Sequence, residues 1–205
     1  MIKNIVYDVG NVLVEFRYKE YMRDFGFSEE LVDFFGENMV MTDFWRDMDK
    51  GLKDENDARE YFTAAFPEYR DEVNRFWDNI INIIQEYDYS NQLIHRSKAA
   101  RYGVYLLSNY PDSLSDLHWA TFSFMDDIDG KIISAKEKVI KPEPAIYRLL
   151  ESRFGLRLNE CIFIDDSQPN VDAAIDLGMQ AVHFTGYDNL MDEFAKRGIN
   201  VSVKF

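Results

Sequence analysis

Cysteine is almost absent from this sequence: Cys161 is the only one in 205 residues. No intrachain disulfide can form, so the core alone must hold the fold, and a reducing compartment fits. At the head of the apolar run Cys161-Ile162-Phe163-Ile164, the thiol reads as a small buried hydrophobe rather than a reactive group. Positive charge is scarce as well. The 23 Lys and Arg stand against 37 Asp and Glu, a net charge of −14. That balance argues against nucleic acid and anionic membrane as partners, because both are bound through basic patches. A phosphate site would have to find positive charge locally, from a divalent cation, a lysine or helix N-termini. No apolar run approaches the ~20 residues of a membrane span. The first apolar strand begins almost at Met1, which leaves no room for a secretory leader, so a cytoplasmic location is expected. There is no internal repeat and no low-complexity tract.

What is present is apolar and aromatic mass, including 16 Phe and 12 Tyr, enough for one domain or for a core with an insert. Ile5-Val6-Tyr7-Asp8-Val9-Gly10 reads as a buried parallel strand that ends in a carboxylate beside a permissive turn. From residue 16 to 89 the texture changes. Tyr18, Tyr21, Met22 and Phe25, then Leu31, Phe34 and Phe35, later Phe62, Phe66, Phe76, Trp77, Ile80, Ile81 and Ile84 recur at helical spacing. Ser28 and Asp54, each followed by acidic residues, read as N-caps. This segment is expected to be a helical bundle without strands.

From residue 90 to 205 short apolar strands alternate with helices. Strands are expected at Val104–Leu107, near Phe124, at Lys131–Ser134, at Ile162–Ile164 and at Ala181–Phe184. Helices are expected at Gln92–Ala100, after Pro111, from Lys141-Pro142 onward and from Asn170 to Leu177. The implied fold is α/β: a doubly wound, Rossmann-like parallel sheet built from 1–15 and 90–205, with the helical segment 16–89 inserted after the first strand.

In such a sheet all strand carboxyl ends share one edge. Three strands there end in polar residues: Asp8, Ser108-Asn109 and Asp165-Asp166. Lys141 precedes a helix that should start nearby. Carboxylates suit a hard cation such as Mg²⁺, which takes oxygen ligands. A carboxylate can also attack phosphorus to form an aspartyl-phosphate, while lysine and backbone N–H groups offset the phosphoryl charge.

These four motifs, in this order, resemble the haloacid dehalogenase superfamily of aspartate-nucleophile phosphatases across essentially the whole chain. The insert corresponds to that superfamily's helical cap, which closes over the site and selects the substrate. The resemblance implies Asp8 as nucleophile and Mg²⁺ ligand. It implies the Gly10 backbone carbonyl as a second ligand and Asp166 as a third, with Asp165 close behind. Ser108 and Asn109 would hold phosphoryl oxygens, and Lys141 would neutralise Asp8 and the phosphate together. The expected ligand is a small phosphorylated metabolite, and the expected state a monomer or weak homodimer.

One position departs from the pattern. Most of these phosphatases carry an aspartate two residues after the nucleophile as general acid and base, and here that position is Gly10. General acid–base catalysis contributes ~10²–10⁴ in rate. The Asp-x-Gly-Asn-Val form also resembles a branch with sugar-phosphate phosphatases, glucose 1-phosphate phosphatase among them, whose anomeric leaving oxygen needs less proton assistance. Residues 45–51 resemble the cap loop facing the site, making Asp47, Asp49 and Lys50 candidates for the missing proton and Trp45 a candidate for sugar stacking. The same residues also read as a solvated loop and a core aromatic. His95, His118 and His183 lack metal-ligand spacing and read as structural or surface residues. The expected activity is an Mg²⁺-dependent phosphatase on a sugar phosphate. Haloacid dehalogenation, phosphomutase chemistry and non-catalytic phospholigand binding are the alternatives on this fold.

Overall fold

The computed structural model describes residues 1–201, so the last four residues of the expected 90–205 segment lie outside the described residues. Along the chain, β1 (Asn4–Tyr7) and β2 (Val14–Phe16) lead into α1 (Tyr18–Asp24), α2 (Glu29–Phe35), α3 (Asp43–Asp49), α4 (Glu55–Ala65) and α5 (Arg70–Asp78). Then come β3 (Ile84–Glu86), α6 (Ser90–Ala99), β4 (Gly103–Ser108), α7 (Asp112–Trp119), β5 (Gly130–Ile133) and the single turn α8 (Ser134–Glu137). The chain continues through α9 (Pro144–Phe154), β6 (Cys161–Asp165), α10 (Gln168–Asp176), β7 (Gln180–His183) and α11 (Tyr187–Lys196).

The main sheet has five strands in the order β5-β4-β1-β6-β7, and every neighbouring pair is parallel. β1 is central, and the strand order reverses beside it, which is where open α/β sheets place their ligands. Strand alternation divides the core between the two faces. Ile5 and Tyr7 pack into one buried cluster and Val6 into the other. The whole of β6 is buried. Cys161 is buried there with its thiol pKa pushed up to about 11 by burial, so it is a packing residue.

The two expected caps form. Ser28 accepts from the Leu31 N–H at 3.3 Å, and Asp54 with Asp57 makes a capping box at the start of α4. The insert departs from expectation in having strands. β2 and β3 pair antiparallel, Val14 opposite Glu86 and Phe16 opposite Ile84, and tie together the two chain crossings between core and insert. Three-residue strands are too short to show a period, and their pairing is long-range. Ile80, Ile81 and Ile84 likewise do not continue an α-helix. α5 stops at Asp78, residues Ile80–Ile83 form a 3₁₀ turn, and Ile84 joins β3.

Two further expectations shift. Phe124 precedes a 3₁₀ turn (Met125–Asp127) rather than lying in a strand. α9 begins at Pro144, with a proline in its first turn, so Lys141 stands three residues ahead of the helix rather than inside it.

Candidate active site

Asp8 follows β1 directly. Its N–H donates to the Ile164 carbonyl at 2.8 Å, which ties it to β6, and its own Oδ1 accepts from the Val9 N–H at 2.7 Å. Lys141 reaches in from the loop before α9. Its ammonium contacts Asp8 Oδ1 at 2.8 Å and Asp165 Oδ2 at 2.7 Å, and its side chain is 1% exposed. Asp165, wholly buried at the end of β6, is fully engaged. Its Oδ1 accepts from the Ser167 N–H at 2.8 Å and from Asn170 Nδ2 at 3.0 Å. Asp165 therefore holds Lys141 in place and does not line the adjoining cavity.

Asp166, the next residue, lines the cavity instead. Its Oδ2 accepts from Asn11 Nδ2 at 3.1 Å. Asn11 adopts φ +54° in the turn after β1, a left-handed conformation that Asn tolerates better than most residues. Nothing in the local sequence ties residue 11 to residue 166, and only the parallel pairing of β1 with β6 brings them together.

Asp8, Asp165 and Asp166 offer carboxylate oxygens within 4.8 Å of one another. One ammonium faces three carboxyl groups. Burial pushes Asp8 up to about 7, and Asp165 and Asp166 add to the rise while Lys141 opposes it. Burial also raises Asp166. Burial would lower the lysine, but Asp165 and Asp8 outweigh it and the net direction is up. A site with surplus buried carboxylate and only oxygen donors fits a hard divalent cation.

Above these groups lies a cavity of about 250 Å³. Its floor is Asp8, Gly10, Asn11, Asn109 and Asp166, and much of its wall is apolar, including Phe16, Val40, Met41, Trp45, Ile84 and Leu114. Of the four expected insert residues, Trp45 and Asp49 line it and Asp47 and Lys50 do not. Lys50 instead pairs with Glu143 at 2.7 Å. Trp45 stacks on Trp77, with ring centroids 6.0 Å apart. Ser108 is buried, its hydroxyl 3.5 Å from the Asn109 carbonyl, and does not line the cavity. The Asn109 carboxamide is committed to Lys141, donating to its carbonyl at 3.0 Å and accepting from its N–H at 2.8 Å.

The histidines, expected to be structural or surface residues, each have a protein partner, and His118 also lines the cavity. His118 Nε2 donates to the Ile80 carbonyl at 3.0 Å, so Nδ1 accepts from the Tyr110 hydroxyl at 2.6 Å. Burial lowers the His118 pKa, against the hydrogen bond to the Ile80 carbonyl. His95 pairs with Asp127 at 3.0 Å on the surface, and His183 donates to the Asp166 carbonyl at 2.9 Å. The Tyr110–His118 pair in the cavity wall has no sequence signal beyond two aromatic residues eight apart.

A model of the haloacid dehalogenase-like hydrolases matches residues 2–178. The chain belongs to that family. Among curated proteins, the chain is 29% identical over 168 residues to the chloroplast flavin mononucleotide hydrolase 1 of Arabidopsis thaliana, covering 78% of this chain and 64% of that one. It is 31% identical over 97 residues to a sesquiterpene phosphatase of Aspergillus oryzae, covering 45% and 47%. The chain thus spans less than two thirds of either relative's length. Among solved structures, a family enzyme from Bacteroides thetaiotaomicron aligns with a TM-score of 0.71 at 25% identity, covering 91% of this chain and 96% of that one. The same enzyme has been crystallised with magnesium and inorganic phosphate.

Asp8 and Asp49 both have pKa values pushed up to about 7, chiefly by burial, against ~3.9 for an unfolded aspartate. At these two carboxyls the native state therefore binds more protons than the unfolded chain between these limits. The stability this contributes is full near the lower limit and is lost as pH rises through the upper one. The metal-free protein should therefore melt higher near pH 5 than near pH 8, and Asp49→Asn should shrink that difference. Melting temperatures in chelator test this. A melting temperature that climbs from about pH 5 to about pH 8 alike in both proteins contradicts it.

Proposed function

We propose that this protein is an Mg²⁺-dependent phosphatase that hydrolyses a small phosphomonoester through an aspartyl-phosphate on Asp8. The observation that carries the reading is the triad of Asp8, Lys141 and Asp165 at the switch point of the sheet. Lys141 and the Val9 N–H hold Asp8 Oδ1, which leaves Oδ2 without a protein partner among the described residues and available for in-line attack. Lys141 offsets charge on both the carboxylate and the incoming phosphoryl group. Asn109 lines the floor on which the phosphoryl group would sit, while Ser108 is buried off the cavity. Asp8, Asp166 and the Gly10 carbonyl would hold Mg²⁺, which when bound supplies the positive charge that the surplus carboxylates and the phosphoryl oxygens require. Residues 16–89 act as a cap on a core of 1–15 and 90–205, and the cap's contribution is the cavity wall.

That wall bears on the substrate. A sugar phosphate, the expectation from sequence, would set its hydroxyls against Phe16, Val40, Met41, Ile84 and Leu114, which cannot hydrogen-bond them. The wall favours an ester whose alcohol has an apolar or aromatic face. Both curated relatives are named for substrates with such a portion, a flavin nucleotide and a sesquiterpene phosphate.

The test is phosphate release from dimethylallyl phosphate, FMN and glucose 1-phosphate, with Mg²⁺ and with chelator. Turnover should require Mg²⁺, and the better of the two apolar-faced esters should exceed glucose 1-phosphate by about tenfold or more in kcat/KM, the worth of burying one side-chain-sized apolar group. Mg²⁺-independent turnover would sink the metal-dependent reading. A preference for glucose 1-phosphate would restore the sugar.

A further inference from the structure

Gly10 leaves the chain without a side-chain proton donor two residues after Asp8. Another acid has to reach the leaving oxygen, and the polar groups around the cavity are mostly committed. Asp8 Oδ1 is held by Lys141 and Val9, and Asp166 accepts from Asn11. Asp165 is engaged by Lys141, Ser167 and Asn170. The Tyr110 hydroxyl proton is given to His118, and the His118 ring proton to the Ile80 carbonyl. Asp49 is the exception. It lines the cavity with Asp8 and Asp166, and among the described residues its carboxyl has no hydrogen-bond partner.

Asp49 is also fixed in place from the core side. The Ser134 hydroxyl donates to the Asp49 carbonyl, and Lys138 donates to the Gly51 carbonyl. Lys50, between them, pairs with Glu143 at 2.7 Å. Gly51 lies so close to α8 that an added Cβ would sit 2.4 Å from the Ala135 carbonyl oxygen, and its φ is +67°. Only glycine permits that approach. Core contacts on three consecutive residues, 49 to 51, fix the backbone that carries the Asp49 carboxyl at the cavity it shares with Asp8. Asp49 is also the last residue of α3, where the helix dipole favours a neutral acid over a carboxylate.

We propose that Asp49 is the catalytic acid and base of this site, taking the role of the side chain that Gly10 lacks. The proposal rests on the reading of Asp8 as a phosphatase nucleophile. Asp8 attacks phosphorus, the bond to the leaving oxygen breaks with its electron pair on that oxygen, and the Asp49 carboxyl delivers its proton there to release the alcohol. Asp49, now a carboxylate, takes a proton from water as the water oxygen attacks phosphorus. The phosphorus–Asp8 bond breaks with its electron pair on the carboxylate. Phosphate leaves, and both side chains return to their starting states.

The test is a leaving-group comparison in Asp49→Asn, which is nearly isosteric with the protonated acid. On a primary alkyl phosphate, whose alkoxide needs a proton, kcat/KM should fall ~10²-fold or more. On p-nitrophenyl phosphate, which leaves as a stable anion, kcat/KM should fall under about tenfold, because kcat/KM ends at transfer to Asp8 and does not contain the water step. In contrast kcat, which does contain it, should fall on both esters. Adding Gly10→Asp to Asp49→Asn should recover alkyl phosphate turnover, since open space surrounds the Gly10 Cβ position. Equal losses of kcat/KM on both esters, or no loss on either, overturn the assignment. An unimproved double variant also overturns it. Wild-type turnover of p-nitrophenyl phosphate is the separate check on the phosphatase reading, and its absence removes both.

Discussion

Asp8→Asn should abolish turnover, with kcat falling by roughly 10⁴-fold or more, the scale seen when a covalent nucleophile is lost. The substitution keeps the shape of the side chain and its place at the end of β1. It removes the charge that attacks phosphorus and that Lys141 balances at 2.8 Å. The metal-free fold should not suffer, because burial already pushes the Asp8 carboxyl up to about 7 and disfavours the charge. Phosphate release and a melting curve on the same preparation separate the two effects. An active variant contradicts the nucleophile. An inactive variant that has also unfolded shows that Asp8 is needed for structure.

Lys141→Ala should damage both stability and rate. The ammonium is buried between Asp8 and Asp165, 2.8 Å and 2.7 Å away. Removing it leaves two buried carboxylates facing each other with only Asn170 and backbone N–H groups to hold them. Breaking one side of a buried ion pair costs about 3–5 kcal/mol, which for a chain of this size lowers the melting temperature by roughly 6–20 °C. The pH dependence gives the sign. Lys141 opposes the rise of Asp8, so without it the folded-state pKa climbs further above the unfolded value. The deficit should then shrink as the pH falls toward 5 and grow toward 8. Phosphate release should drop by ~10² or more, as when one preorganised charge is taken from a transition state. A variant that melts within a degree or two of wild type at every pH contradicts the account of the triad.

Much of this site could be read from the sequence, and the reason is strand chemistry. A buried parallel strand is apolar along its length, so a polar residue at its end stands out. Asp8, Ser108-Asn109 and Asp165-Asp166 were visible in that way, and one sheet edge brings their strands together. What lay hidden depended on long-range pairing or on side-chain direction. β2 and β3 are three residues each and acquire meaning only opposite one another. Asn11 meets Asp166 across 155 residues. Asp47, Asp49 and Lys50 were indistinguishable as neighbours in one segment. The helix turns them to different sides, and the contacts of Ser134, Lys138 and Glu143 decide that Asp49 is the one at the cavity. Ser108 shows the reverse: its position followed from the strand, but its hydroxyl lies off the cavity.

The central claim is a phosphoryl group carried on Asp8, and rapid-quench labelling with a ³²P-phosphomonoester in Mg²⁺ tests it most directly. An acid-stable, hydroxylamine-labile label should appear before steady-state phosphate release. It should map to the peptide containing Asp8 and be absent from Asp8→Asn. A label on another residue, or an unlabelled Asp8→Asn that still releases phosphate at the wild-type rate, would contradict it.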